Sequence, residues 1–168
     1  MDKREIEAMV REVETRCGPF CSCEELDIHG MPHLRQVALT AGRLAVLVGC
    51  DVESAVVAGF LHDCARVHDG GGNRHAHDSA VLARRLLKTF YPHLDAPRLC
   101  EAIARHADGR TTDDPLAACL WDADRLDLCR LGIEADPRLL STRAARRVAA
   151  IRRVRRDDRY RHIRQRKP

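Results

Sequence analysis

The sequence predicts an all-α fold consisting of a single-domain helical bundle, and two observations support that class. Apolar residues recur at the three- and four-residue spacings of amphipathic helices, and no segment shows the alternation typical of a half-exposed strand. Hydrophobic residues make up 45% of the chain but aromatic residues only 4%, which indicates a core of aliphatic side chains. The length of 168 residues suits one domain with a sizeable core.

Seven segments carry the helical pattern. The clearest begins at Pro32, a residue suited to the first turn of a helix, and ends before Gly49, a typical helix terminator. Asp51 is placed to cap the following helix, and Asp114 with Pro115 begins a later one. The predicted helices cover residues 2–16, 32–48, 52–66, 75–90, 96–108, 115–130 and 142–164.

Charge and composition divide the chain into three segments. Residues 1–28 are predicted to form an N-terminal helix and an irregular Cys-containing segment, residues 29–141 a helical core, and residues 142–168 a basic C-terminal helix. Residues 143–168 contain twelve Lys or Arg and two Asp, although the whole chain has a net charge of only +4. This helix could bind nucleic acid or could be a solvated helix that offsets an acidic body. Tyr160 is its only aromatic residue, so base stacking is poorly supported.

The eight cysteines and the N-terminus favour a cytoplasmic protein with free thiols. The N-terminus lacks the apolar segment of a secretory signal, and no apolar run approaches the roughly 18 residues of a membrane span. Cys17, Cys21 and Cys23 form a local CGPFCSC segment whose spacing fits no common zinc site. We expect no membrane partner, and the sequence does not determine the oligomeric state.

Six His and Asp residues interrupt the apolar stripes or stand at the ends of predicted helices. Helical bundles build metal sites from polar side chains that project inward from facing helices. The pattern therefore predicts a metal site rather than six unrelated caps. Asp122 competes with Asp124, because apolar residues flank both at helical spacing and the periodicity does not choose between them. The six residues are His33, His62, Asp63, His75, His106 and Asp124.

The motifs around these residues resemble the HD-domain superfamily of metal-dependent phosphohydrolases over residues 29–141. His33 in HLRQVALTAGRLA resembles the first histidine of that family, and His62-Asp63 in AGFLHDCAR resembles its name-giving pair. Asp124 in DADRLD resembles its last aspartate. His75 in HAHDSA resembles an H-G-x-x-A-A segment of that family, with Ala76 in place of the glycine, and His106 in AIARHADG resembles the late histidine of members with two metals. HGMPHLRQV is also similar to a subgroup of small bacterial HD proteins.

The resemblance implies a metal-dependent phosphohydrolase that acts on a small phosphoester, with a nucleotide as the first candidate. The implied metal ligands are His33, His62, Asp63 and Asp124, which would bind one divalent ion among Mn, Fe, Zn, Co, Ni and Mg. Such an ion activates water for attack on phosphorus. His75 and His106 would complete a second metal site around Asp63, or would bind phosphate or donate a proton.

Cationic residues near these positions are candidates for binding the phosphate. Arg66 is the first choice, because it follows the His62-Asp63 pair by about one helical turn. The predicted catalytic residues are therefore Asp63, Arg66, His75 and His106. Arg74, Arg110 and Arg125 also follow or precede predicted site residues.

Two other functions remain open from the sequence. The domain could sense a metal or nucleotide without turnover, or it could be a di-iron oxygenase, since HD-like folds also support that chemistry with the same ligand types. Intact residues at all six positions favour the enzyme over the sensor. Iron retention and oxygen uptake would separate the oxygenase from the hydrolase.

Overall fold

The computed structural model describes the backbone of residues 1–164 and the side chains of residues 1–153. Within this range the secondary structure is entirely helical, which confirms the all-α class. Short 3-10 turns cover Gly18–Phe20, Leu128–Leu131 and Pro137–Leu139. The seven helices are α1 (Lys3–Cys17), α2 (Met31–Val48), α3 (Val52–Leu61), α4 (Arg74–Phe90), α5 (Ala96–Ala104), α6 (Pro115–Asp127) and α7 (Arg143–Arg164).

Helix α2 lies at the centre of the bundle, where it packs mainly against α3 and α6. Helix α1 covers α2 and α3, and α4 packs on α5. Gly59 makes the packing of α2 and α3 unusually close, because a Cβ at this position would lie only 2.8 Å from the Cα of Ala38. This contact holds the last turn of α3 against α2, next to the turn that carries His62 and Asp63.

Local capping explains where several helices begin and end. The side chain of Asp51 accepts a hydrogen bond from the backbone N–H of Ser54, and Asp114 accepts one from Ala117. Gly49 has a φ of 73°, a left-handed conformation that favours glycine and ends α2. These three boundaries agree with the sequence prediction.

Helix α6 ends at Asp127, where a 3-10 turn continues to Leu131, and two other helices end well before their predicted boundaries at residues 66 and 108. Helix α3 ends at Leu61 and α5 ends at Ala104, so the segments that follow them are turns. In both turns a histidine Nδ1–H donates to a carbonyl three residues earlier: His62 to Gly59 and His106 to Ile103, both at 2.8 Å. Arg66 therefore follows the turn that carries His62 and Asp63, and none of these three residues belongs to a helix.

The C-terminal helix docks through its first turns. In the sequence, an apolar row of Val148, Ile151 and Val154 predicts that this helix docks on the body. Ala145 is fully buried and Val148 packs partly against the core, but Ile151 is 54% exposed, so its predicted docking is wrong. The predicted contact of Val154 and most of the basic surface lie outside the described side chains. None of the helices in the described part of the chain combines the length and apolar character needed to cross a membrane.

Candidate metal centre

The ends of the helices bring six polar side chains together inside the bundle. His33 is the third residue of α2, and His62 with Asp63 forms the turn after α3. His75 is the second residue of α4, His106 lies just beyond α5, and Asp124 stands in the last turns of α6. Three overlapping groups of these residues place one ligand atom each within 4.8 Å of one another. They are His33, His62 and Asp63; His62, His106 and Asp124; and Asp63, His75 and His106.

His33, His62 and Asp124 form one half of this centre, here called the His33 half. The Nε2 atoms of His33 and His62 lie 3.1 Å apart. Oδ1 of Asp124 lies 3.4 Å from Nε2 of His33 and 3.7 Å from Nε2 of His62. Metal bonds of about 2.0–2.2 Å place neighbouring ligand atoms roughly 3–3.5 Å apart, so the spacing fits one ion.

His75 and His106 form the other half, here called the His75 half. Their Nε2 atoms lie 3.3 Å apart, and Oδ1 of Asp63 lies 3.4 Å from the first and 3.5 Å from the second. The other oxygen of Asp63, Oδ2, lies 3.9 Å from Nε2 of His62. Asp63 therefore stands between the two halves with one oxygen toward each.

Because the imidazoles carry their protons on Nδ1, the lone pairs of their Nε2 atoms are directed at one another. A carbonyl or carboxylate oxygen only accepts, so the Nδ1 of His62, His106 and His33 must each carry the donated proton. In the neutral rings Nε2 is then an unprotonated acceptor. Facing acceptors at 3.1 Å, with a carboxylate beside them, require a cation or an added proton between them. A divalent metal fits this donor set.

The carboxylate of Asp63 is a second, independent indication that this centre suits a cation. Its side chain is 1% exposed, and Oδ1 accepts no hydrogen bond among the described residues. Burial alone would raise the pKa of this carboxyl, but His62, His106 and Arg66 hold that pKa well below its usual range. The carboxylate is therefore charged, buried and short of one partner, as a metal ligand would be.

The structure separates the roles of Asp122 and Asp124. Both oxygens of buried Asp122 are occupied, because they accept the backbone N–H groups of Ser141 and Thr142, each at 2.7 Å. Asp122 thereby ties α6 to the start of α7. Asp124 faces His33 and His62, which hold the pKa of its carboxyl well below the usual range although burial opposes this. The geometry favours Asp124 as the ligand.

Arg66 contacts the centre through Asp63 and through the following loop. Its Nη1 donates to Oδ2 of Asp63 at 3.1 Å, its Nε to the carbonyl of His68 and its Nη2 to the carbonyl of Gly70. These bonds favour a role in holding Asp63, and phosphate binding by Arg66 stays a prediction. Arg125 donates to the carbonyls of Leu139 and Arg110, so it joins the 3-10 turn at Pro137–Leu139 to the loop before α6.

Sequence reasoning missed two carboxylates close to the centre. Oδ2 of Asp127 accepts from Nδ1 of His33 at 2.7 Å, and its position three residues after Asp124 was the available signal. Asp69 accepts from the backbone N–H and Nδ1–H of His29, whose ring stacks edge-on against His33 at 5.4 Å. No local pattern indicated that second pair, which joins two loops.

The cysteines lie outside the centre's ligand groups. All eight are free thiols, and Cys17, Cys23 and Cys64 are fully buried. Among the residues that the structure describes, no ligand group of three or more includes a cysteine. Cys129 is exposed.

Comparisons with known proteins agree with this arrangement. The chain is 28% identical to a crystal structure described as a predicted HD superfamily hydrolase from an uncultured Thermotogales bacterium, with a TM-score of 0.69 over 95% of this chain and 90% of that one. It is 34% identical to ribonuclease Y of Syntrophobacter fumaroxidans over 104 residues, which are 61% of this chain but 18% of that enzyme. A family model, HD domain, matches residues 31–129, a range that contains all six residues of the centre. This chain belongs to the HD domain family.

Proposed function

We propose that this protein is a metal-dependent phosphohydrolase that acts on a small phosphoester, with nucleotides as the first substrates to test. The observation that carries the proposal is the convergence of four imidazoles with the carboxylates of Asp63 and Asp124 in one centre, in which Asp63 Oδ1 is a buried charged oxygen without a hydrogen-bond donor. The likeness to a structure described as an HD superfamily hydrolase supports the same reaction class.

The residues of the His33 half, together with Asp63, would hold a divalent ion through Nε2 of His33 and His62 and through the carboxylates of Asp63 and Asp124. Such an ion supplies a Lewis acid and lowers the pKa of bound water toward neutrality. Asp63 keeps its charge because Arg66 and the neighbouring histidines stabilise it. His62 is held by Gly59, so its Nε2 stays directed into the centre.

His75 and His106 would hold a second ion or contact the phosphoryl group. Burial lowers the pKa of His75 to about 4, so this imidazole is neutral near pH 7 and offers a lone pair. A neutral imidazole suits metal ligation better than proton donation. The lowered pKa therefore favours metal ligation by His75 over a role as general acid.

The first experiment measures phosphate or nucleoside release from nucleotides and phosphomonoesters with Mn(II), and separately with Fe(II). Wild type is compared with Asp63→Ala and with a matched control, Asp78→Ala, an exposed residue that pairs with Arg74. Release that needs both metal and Asp63, and that survives in the control, supports the proposal. No release above the Asp63→Ala background from any substrate would contradict it, and oxygen uptake with Fe(II) would then favour an oxygenase.

An RNA oligonucleotide belongs in the same panel because of the similarity to ribonuclease Y. That similarity favours a phosphodiester as the second candidate substrate. Mononucleotide release from RNA without release from phosphomonoesters would select the phosphodiesterase reaction.

A further inference from the structure

The three most buried imidazoles of the centre are anchored through Nδ1, but by different kinds of partner. For His62 and His106, the Nδ1–H donates to the main-chain carbonyl three residues earlier in the chain. A side chain, Asp127, holds His33. His33 is thus the one of these three whose anchor can be removed by a substitution at another residue.

Asp127 is placed for this role by the end of α6. It is the last residue of that helix, one turn after Asp124, and its side chain is 6% exposed. Its Oδ2 accepts from Nδ1 of His33 at 2.7 Å and from Nε of Arg130 at 2.6 Å. Arg130 lies in the 3-10 turn that directly follows the helix. One short segment therefore supplies Asp124 to one nitrogen of His33 and Asp127 to the other.

A carboxylate anchor differs from a carbonyl anchor in charge. The donated proton at Nδ1 fixes the tautomer that leaves Nε2 free, and the negative charge makes the ring a stronger electron donor. Arg130 keeps that charge in place, since both Arg130 and His33 donate to the same carboxylate. Loss of an outer partner of this kind typically weakens metal binding by about 10–100-fold.

We propose that Asp127, held by Arg130, is the positioning residue that fixes the orientation and tautomer of His33 for metal binding. The inference rests on the metal centre of the proposed function and adds a residue that does not itself contact the ion. His33, Asp127 and Arg130 also line a cleft of about 440 Å³. Water can therefore reach Nδ1 of His33 when the carboxylate is removed, so the variant should still fold.

The test compares Asp127→Ala and Asp127→Asn with Asp78→Asn, an exposed control of the same chemistry. Zn(II) affinity is measured by chelator competition, and the His33 Nδ1–H signal is followed by NMR of the metal-free protein. We expect Asp127→Ala to bind Zn(II) about 10–100-fold more weakly and to lose the signal. Asp127→Asn should keep the signal, because its amide oxygen still accepts, and should show an intermediate affinity. The control should match wild type.

Each outcome decides one question. Wild-type Zn(II) affinity in Asp127→Ala, or an unchanged Nδ1–H signal, would overturn the positioning role even if the wild type hydrolyses phosphoesters. Weaker binding in Asp127→Ala together with a wild type that hydrolyses nothing would keep the positioning role and reject the proposed function. If Asp127→Ala loses its far-UV helicity, the comparison rests on Asp127→Asn, for which affinity equal to wild type would reject any role of the charge.

Discussion

The two halves of the centre differ in how firmly their histidines are held. In the His33 half, both imidazoles have a fixed Nδ1, one on Asp127 and one on the carbonyl of Gly59. In the His75 half, His106 is fixed by Ile103, whereas Nδ1 of His75 makes no hydrogen bond among the described residues. His75 also follows the glycine-rich loop at 70–72. Because ordering a ligand costs free energy on binding, we expect the His33 half to bind metal more tightly.

The largest effect should come from Asp63, which serves both halves. Asp63→Ala should remove metal from both, because each half loses an oxygen ligand, and turnover should fall by more than about 100-fold. Far-UV helicity should remain, since Asp63 lies in a turn. The metal content of purified protein checks this. Equal content in variant and wild type would exclude Asp63 as a ligand.

A comparison of His33→Ala with His75→Ala tests the difference between the halves directly. His33→Ala should lose the tightly bound ion, whereas His75→Ala should retain one ion per chain and lose only a weaker one. Metal titration followed by calorimetry separates the two classes of site. If His75→Ala loses all metal, the halves are not independent and the comparison fails.

The pH dependence of the metal-free protein should also distinguish the halves. Burial opposes protonation of His33, but the carboxylates of Asp124 and Asp127 raise its pKa from 6.5 to about 9. This stabilisation is fully present below pH 6.5 and is lost as the pH rises through about 9, with an upper value of about 3 kcal/mol. Urea unfolding between pH 6 and pH 10 measures it.

His33→Gln is the control for that experiment. Most of the loss of stability between about pH 6.5 and pH 9 should disappear in this variant. A smaller part should remain, since the carboxylate of Asp63, whose Oδ1 lies 3.5 Å from Nε2 of His106, raises the pKa of His106 although burial opposes it. His75, with a pKa lowered to about 4, acts oppositely and only below pH 6.5. An unchanged profile in His33→Gln would mean that His33 does not take up the proton.

The smallest expected effect is the loss of stability in Asp122→Asn, and a comparison with Asp124→Asn tests the different roles of the two carboxylates. Asp122→Asn should lower the free energy of unfolding by about 1–2 kcal/mol, because the amide cannot accept from both Ser141 and Thr142. Its metal content should equal that of wild type. Asp124→Asn should lose metal instead. Thermal unfolding and metal analysis of both variants check this, and the reverse order would exchange the two roles.

The sequence predicted the helices through local patterns, and the same patterns singled out five of the six residues of the centre, whereas Asp124 was preferred over Asp122 only through its resemblance to the HD-domain superfamily. Apolar periodicity predicts which face of a helix is buried, and Asp51, Gly49 and Asp114 predict boundaries through bonds within a few residues. The ends of α3 and α5 were placed too late, because continued apolar patterning does not reveal a turn held by a histidine side chain. These turns carry His62, Asp63 and His106, so the errors fall at the centre.

Only the tertiary structure decided which polar groups have partners. Asp122 and Asp124 are equivalent by spacing, yet one accepts two backbone N–H groups from the segment before α7 and the other faces two imidazoles. The contacts of Asp127 with His33 and of Asp69 with His29 join residues 94 and 40 positions apart. The sequence determined which helices and ligand types are present, because local propensity and side-chain chemistry act over a few residues. Tertiary packing alone decided their partners. A hydrogen bond depends on the distance between two groups, and helices that are far apart in the sequence fix that distance only when they pack together.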